Sequence, residues 1–208
     1  MRTLFFWFPR SSVGTRPNRS SGHFPRALPF ALLLTLSACS LLPARPPTPA
    51  LHDFGPAEAT LAGDKAVWSS VAVDAPEWLQ SENIRYRLLY SEPTRVRYYA
   101  QDRWLAPPPA LLAQRLSLSQ AAGGLRLKIK LLEFEQVFDS AQSARVILAF
   151  RATAVQADNE AIAGEKVFHF SKPTTSADAQ GAVTSSASLI GEAVNSLKAW
   201  LAETAPRR

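Results

Sequence analysis

Apolar and polar side chains alternate with period two over most of the chain between residues 66 and 171. This pattern is typical of strands that bury one face. We predict strands over residues 66–74, 84–90, 96–100, 125–139, 145–156 and 165–171. The turn sequence Ser91–Thr94 joins the second and third of these into a β-hairpin.

The fourth predicted strand changes the parity of its apolar side chains in the middle. They fall on odd positions from Leu125 to Leu131 and on even positions from Leu132 to Phe138. One face of a regular strand cannot bury both sets. The sequence therefore predicts a β-bulge or a sharp bend near Leu131–Leu132.

Helical spacing predicts two helices. Residues 107–109, all proline, begin a short one, and Gly123–Gly124 ends it. A long amphipathic helix follows a capping box formed by Thr175 and Asp178. Its polar face has too few bases for a helix on a membrane surface, so we expect it to pack on the sheet. The predicted fold class is α/β, a single three-layer-like domain with a mixed β-sheet, a β-hairpin, one short helix and a long C-terminal amphipathic helix.

Residues 1–38 have a different pattern, which indicates a signal peptide. They hold five arginines and no acidic residue, and they end in a short apolar run at 27–36. A membrane-spanning helix needs about 20 apolar residues, so this run suits the apolar region of a signal peptide. The leader also explains the net charge of +6, because 18 basic and 17 acidic residues remain without it. A nearly neutral mature chain gives no reason to expect a nucleic-acid partner.

Leu36-Ser37-Ala38-Cys39 resembles the bacterial lipobox, with signal cleavage after Ala38 and lipid attachment at Cys39. Cys39 is the single cysteine, which excludes an intrachain disulfide and a zinc site built on several thiolates. The alternative is an ordinary cleavable signal with an incidental cysteine. In the lipoproteins that this chain resembles, a residue such as Ser40 favours passage to the outer membrane.

Residues 39–50 are rich in proline and form a lipidated tether. Extended polyproline geometry, at about 3.1 Å per residue, gives it a reach of roughly 30 Å. The folded domain then occupies residues 51–205 and faces the periplasm.

Arginines and aromatic residues crowd the predicted hairpin. Such residues are enriched where proteins meet partners. The candidate partner-binding residues are Arg85, Arg87, Arg95, Arg97, Tyr98, Arg103 and Trp104. Two alternatives stay open: the arginines are the solvated face of the hairpin, or they bind nucleic acid, to which an exported, lipid-anchored chain has little access.

The sequence offers no catalytic or metal-binding motif. It lacks HExxH, the phosphate loop GxxxxGK[ST] and the nucleophile elbow GxSxG. His52 and His169 are isolated, which is more typical of packing or surface positions. Glu133 and Glu135 share a strand face, and we expect them to face solvent rather than to act as a general acid and base. We therefore expect no enzymatic activity, no cofactor and no metal.

Several short sequences follow one another along the mature chain. They are Asp53–Pro56, Ile84–Arg87, Asp102–Pro107, Leu132–Asp139, Phe168 with Pro173, Asp178–Ala179 and Trp200–Leu201. Together with the lipobox, they resemble the ABC-type transport auxiliary lipoprotein family over essentially the whole mature chain. One departure is Leu105–Pro108, where the family is expected to have an alanine and an acidic residue before the proline. A polar contact from that acidic position is not carried over.

The resemblance implies an outer-membrane lipoprotein that assists a transport system for phospholipid, sterol or another hydrophobic solute. Its partners would be an MCE-domain protein and the ABC permease and ATPase of the same system, and the family implies no catalytic residues. One alternative is a carrier lipoprotein that holds an acyl chain or a sterol between helix and sheet. Another is a hydrolase with an unrecognised serine or glutamate pair. A homo-oligomer is compatible with the transport role, but no subunit number follows from the residues.

Overall fold

The computed structural model describes residues 47–56, 68–118 and 125–204. The strands are β1 (Ala50–His52), β2 (Trp68–Asp74), β3 (Asn83–Leu88), β4 (Glu92–Trp104), β5 (Leu125–Ser140), β6 (Ser143–Gln156) and β7 (Ile162–Pro173). The helices are α1 (Pro108–Ser117), α2 (Ala179–Thr204) and a 3-10 helix at Glu77–Leu79. The predicted α/β class, with a mixed sheet, one short helix and a long C-terminal helix, is confirmed.

All seven strands belong to one mixed sheet with the order β1-β4-β3-β5-β6-β7. β2 pairs in parallel with the first half of β5, and β3 pairs in parallel with its second half. These two strands therefore lie along the same edge of β5, while β6 pairs antiparallel along the other edge. β5 is thus the central strand, and β3 and β4 form the predicted antiparallel hairpin.

The predicted bulge in β5 is confirmed. Leu131 pairs with Phe150 and Glu133 pairs with Ala149, so Leu132 has no partner of its own in β6. An extra residue reverses the parity of a strand. Both halves of β5 consequently turn their apolar side chains toward the same core.

Both helices pack on one face of the sheet. The Trp68 indole N–H donates to the carbonyl of Leu116 in α1 at 3.3 Å. In α2, Trp200 packs edge-to-face on Phe168 of β7, with 5.8 Å between ring centroids. Side chains of both helices belong to the same hydrophobic core. In the described residues, the helices therefore cover one face of the sheet and enclose the core against it.

The N-cap of α2 is Asp178 rather than Thr175. The helix begins at Ala179, and Oδ1 of Asp178 accepts hydrogen bonds from the Ser176 hydroxyl at 2.6 Å and the Gly181 backbone N–H at 2.8 Å. The predicted capping box is wrong in this detail, because the carboxylate itself covers the free N–H at the third helical position. The Ser176 bond first, and then the Gly181 bond, lower the pKa of Asp178.

The Asp178→Ala substitution should lower the free energy of unfolding by about 1 kcal/mol, the usual cost of a lost N-cap. Because the pKa of Asp178 is lower in the folded state, its contribution is present above about pH 4 and declines as the pH falls through the folded-state pKa. Urea unfolding of both proteins at neutral and acidic pH measures this. An equal difference at both pH values would contradict a contribution from the charge.

Two glycines of α2 should respond in opposite ways to alanine. A Cβ at Gly181 would overlap the backbone carbonyl of Ser176, so Gly181→Ala should lower stability by about 1–3 kcal/mol although alanine is the better helix former. A Cβ at Gly191 meets no atom within 4 Å. Gly191→Ala should therefore raise stability by roughly 0.5–1 kcal/mol. Thermal unfolding of the two variants and the wild type measures these changes. A higher unfolding temperature for Gly181→Ala would contradict the close approach of Gly181 to the Ser176 carbonyl.

Candidate functional site

The β3–β4 hairpin carries the candidate partner-binding residues, and irregular pairing distributes them over different surfaces. Arg85 pairs with Tyr98, and Asn83 pairs with Arg103. Between these pairs β3 has one residue and β4 has four, so β4 bulges strongly. The side chains of β4 therefore do not alternate regularly between the two faces of the sheet along the whole strand.

Arg85 and Arg87 are held by one buried carboxylate. Arg87 donates from Nε to Oε1 of Glu135 at 2.6 Å, and Nη2 of Arg85 lies 3.6 Å from Oε2. Arg85 also donates to the backbone carbonyl of Trp78 at 3.2 Å. Arg85 is 9 % exposed and Glu135 is 8 % exposed, so the expectation that Glu135 faces solvent is wrong. Neither arginine belongs to a freely solvated face.

These three side chains, Arg85, Arg87 and Glu135, are called the Glu135 cluster below. It places two positive charges against one negative charge at low solvent exposure. Nε of Arg85 and Oε2 of Glu135 have no hydrogen-bond partner among the described residues. Buried charges stay ionised only when an opposite charge compensates them. The cluster therefore fixes β3 to β5, and it leaves Arg85 and Arg87 little capacity to bind a partner.

Trp104 is a core residue rather than an exposed contact. Its ring lies 5.7 Å from Phe134 and 5.4 Å, edge-to-face, from Phe54. Its backbone N–H donates to the carbonyl of Glu82 at 2.7 Å. Trp104 thus fastens the end of β4 to the sheet, and its side chain is not available to a partner.

The more exposed candidates lie in the first half of β4, near the turn of the hairpin. Arg95 and Arg97 both pair with Glu92, Arg95 through Nη1 at 3.2 Å. The hydrogen bond from Arg97, and then that from Arg95, lower the pKa of Glu92. Tyr98 is half exposed. We call Tyr90, Glu92, Arg95, Arg97 and Tyr98 the tip surface; Tyr90, at the turn, is also half exposed.

Arg103 and the side chain that sequence reasoning missed, Trp78, lie near the other end of the hairpin. Arg103 is exposed and pairs in register with Leu51 of β1. Trp78 is exposed in the 3-10 helix before β3. The sequence offers little to single it out: Trp78 follows Pro76 by two residues, in a segment where apolar and polar residues do not alternate.

β1 is held at the edge of the sheet by a polar pair. Nε2 of His52 lies 2.8 Å from Oδ1 of Asp102, and the Leu105 backbone N–H donates to the His52 carbonyl at 2.7 Å. An open cleft of about 350 Å³ lies between this strand and Val183 of α2. His169, by contrast, is exposed on β7.

The helix–sheet interface is tightly packed. Beside Phe134 and Ala182 the void is only about 10 Å³. A second open cleft of about 420 Å³ lies between β7 and the C-terminal half of α2, next to Phe168, Phe170 and Trp200. Across residues 47–56, 68–118 and 125–204, no group of three histidine, cysteine or acidic side chains could hold a metal ion. Neither helix in this part of the chain is both long and apolar enough to cross a bilayer.

Comparisons with known proteins show a shared fold. No family model matches the chain. No curated protein matches its sequence. Protein XCC0632 from Xanthomonas campestris, described as DUF330, has a similar structure with a TM-score of 0.59 and 16 % identity, over 76 % of this chain and 95 % of that one. A second structure, of an uncharacterized protein, has a TM-score of 0.59 and 11 % identity, over 74 % of this chain and 99 % of its own. At these identities the likeness shows the mixed α/β fold alone.

Proposed function

We propose that the protein is a non-enzymatic outer-membrane lipoprotein that assists an MCE/ABC-type lipid transport system across the periplasm. The lipobox cysteine, Cys39, is the observation that carries this proposal. Ala38, the last residue of the predicted signal peptide, and Cys39, the first residue of the predicted tether, lie outside the described residues. The ordered short sequences of the mature chain support the same family.

The direction of the strands supports a docking role. β4 runs from the tip surface to Trp104, where β1 pairs with its last three residues. β1 begins at Ala50, the last residue of the predicted tether. The tether therefore joins the domain at the base of the hairpin, at the end of β4 opposite the tip surface. This arrangement leaves the tip surface free to meet an MCE-domain partner.

A carrier that holds an acyl chain between helix and sheet is disfavoured. Ligand cavities usually measure about 300–1,000 Å³, whereas the void beside Phe134 is about 10 Å³. The open cleft beside Phe168 and Trp200 is the observation that keeps a lipid-binding role as a second candidate. Native mass spectrometry of protein extracted from cells tests it, and a spectrum without bound lipid would exclude that role.

Affinity capture from solubilised membranes tests the docking role. Wild-type protein should recover an MCE-domain protein and the ABC permease or ATPase. A variant with Arg95→Glu and Tyr98→Ala should lose them, because both substitutions change the tip surface. Arg151→Glu is the matched control, since Arg151 is exposed on β6 away from the hairpin. Recovery of no MCE or ABC component by the wild type would contradict the proposal.

A further inference from the structure

The base of the hairpin, where the tether joins the domain, exposes large apolar side chains. Leu51 is 60 % exposed, Trp78 60 % and Leu105 55 %, which makes three of the eight large apolar side chains that the described residues expose. We call these three, with Arg103, the base patch.

Pairing in the sheet brings the base patch together. Leu51 lies opposite Arg103, and Leu105 follows directly on the strand that pairs with β1. Arg103 also lies opposite Asn83, the first residue of β3. The backbone of Trp78 lies beside β3, because its carbonyl accepts the hydrogen bond from Arg85.

We infer that the base patch rests on the headgroup region of the membrane that holds the anchor. The inference rests on the proposed lipidation of Cys39. The chain from Cys39 to Leu51 can span at most about 3.3–3.6 Å per residue, so β1 stays within roughly 40 Å of the lipid. The tether therefore keeps the base of the hairpin close enough to reach the membrane, whereas the tip surface lies at the other end of β4.

The chemistry of the base patch fits this environment. Tryptophan favours the boundary between water and hydrocarbon, where its ring is apolar and its N–H finds a partner. Leu51 and Leu105 can enter the upper acyl region. Arg103 makes no ion pair among the described residues, and a guanidinium binds lipid phosphate well.

The base patch is too small to hold the protein on a membrane without the anchor. Interfacial binding scales with the apolar area that is buried, and three side chains supply little. Once the anchor holds the protein on the membrane, the base patch is always close to lipid headgroups. Their effective concentration at the base patch is then high enough for a weak contact to form. We therefore expect the contact in lipidated protein and not in Cys39→Ala protein mixed with vesicles.

Trp78 is a selective optical probe of this contact. The mature chain has three other tryptophans, Trp68, Trp104 and Trp200, and all are buried. Full-length lipidated protein is reconstituted into phosphatidylethanolamine–phosphatidylglycerol vesicles with brominated or ordinary acyl chains. Brominated lipid should quench the emission component that Trp78→Phe removes, and it should leave the emission of the Trp78→Phe protein unchanged.

Serine substitutions map the contact. Leu51→Ser or Leu105→Ser should reduce the quenching of Trp78, whereas Ile162→Ser, at the exposed start of the opposite edge strand, should not. Protein that floats with the vesicles while Trp78 stays open to aqueous iodide overturns the inference but leaves the anchor intact. Protein that does not float overturns both. Protection of Trp78 only after membrane proteins are added assigns the base patch to a protein and also overturns the inference.

Discussion

Replacing Cys39 with alanine should move the protein from the membrane fraction to the soluble fraction of cells. Each acyl methylene that enters the bilayer contributes about 0.8 kcal/mol, and several acyl chains give stable anchoring where one does not. The base patch, for which we infer a further contact with the membrane, is too small to replace the anchor. Fractionation followed by immunoblotting measures the change.

Two further measurements distinguish lipidation from other kinds of membrane attachment. The N-terminal peptide of the wild-type protein should begin at Cys39 and carry acyl chains in its mass spectrum. Ser40→Asp is the matched control, since it should keep the protein on a membrane and, by the sorting preference of the lipoproteins that this chain resembles, shift it toward the inner one. A wild-type N-terminal peptide without lipid would contradict the lipobox interpretation.

The long central strands could be predicted from the sequence because their environment is set by hydrophobic pattern alone. Both halves of β5 bury apolar side chains, so the change of parity at Leu132 requires a bulge or a bend, and the structure has a bulge. α2 was predictable for the same reason, because its apolar residues recur at helical spacing over many turns. Its cap was not, since Thr175 and Asp178 are both good capping residues and the path of the preceding loop decides between them.

The Glu135 cluster could not be predicted from local pattern. Alternation in β3 places Arg85 and Arg87 on the face opposite Ile84, and arginines on such a face are usually solvated. The segment around Trp78 contacts Arg85 from outside the strand, and Glu135 is 48 residues away from Arg87 in the sequence. Burial of a charged side chain depends on such long-range partners, which no window of the sequence contains.

Trp104 was misassigned for a different reason. The predicted strand covered only residues 96–100, and Trp104 was assigned to the partner surface because arginines and aromatic residues crowd this segment. β4 instead extends to Trp104 and contains irregular pairing on both sides of the Arg85–Tyr98 pair. Each bulge reverses the face that the following residues present. A tryptophan at the end of such a strand can point either way, and here it packs against Phe134.

The position of the tip surface depends on the Glu135 cluster. β3 pairs with β5 over only three residues, from Tyr86 to Leu88. Beyond these pairs, the Leu89 backbone N–H donates to the Phe138 carbonyl at 2.9 Å, and the Tyr99 hydroxyl donates to Oε1 of Gln136 at 2.5 Å. The buried ion pairs restrict the position of the hairpin relative to β5, because any other position would leave buried charges without partners.

The Glu135→Gln substitution should lower the free energy of unfolding by about 3–5 kcal/mol, because it leaves two guanidinium groups without their counter-charge. Asp139→Asn is the matched control. It removes the partner of Arg145, but the two side chains are 44 % and 34 % exposed, so the cost should stay below about 1 kcal/mol. Urea unfolding measures both variants, and equal effects would show that the Glu135 cluster behaves as an ordinary surface pair.

A double variant, Arg85→Met with Glu135→Gln, separates charge from packing in the same cluster. It removes one of the two positive charges while keeping an apolar side chain of similar length on β3, so it should recover much of the stability that Glu135→Gln loses.

Amide hydrogen exchange of Tyr86–Leu88 should follow the same order, fastest in Glu135→Gln and slower in the double variant. Loss of this pairing, seen as faster exchange, should also weaken capture of the MCE-domain partner. The reason is that these residues hold the tip surface, which we propose for docking, to the sheet. Unchanged exchange in Glu135→Gln would instead mean that backbone pairing alone positions the hairpin.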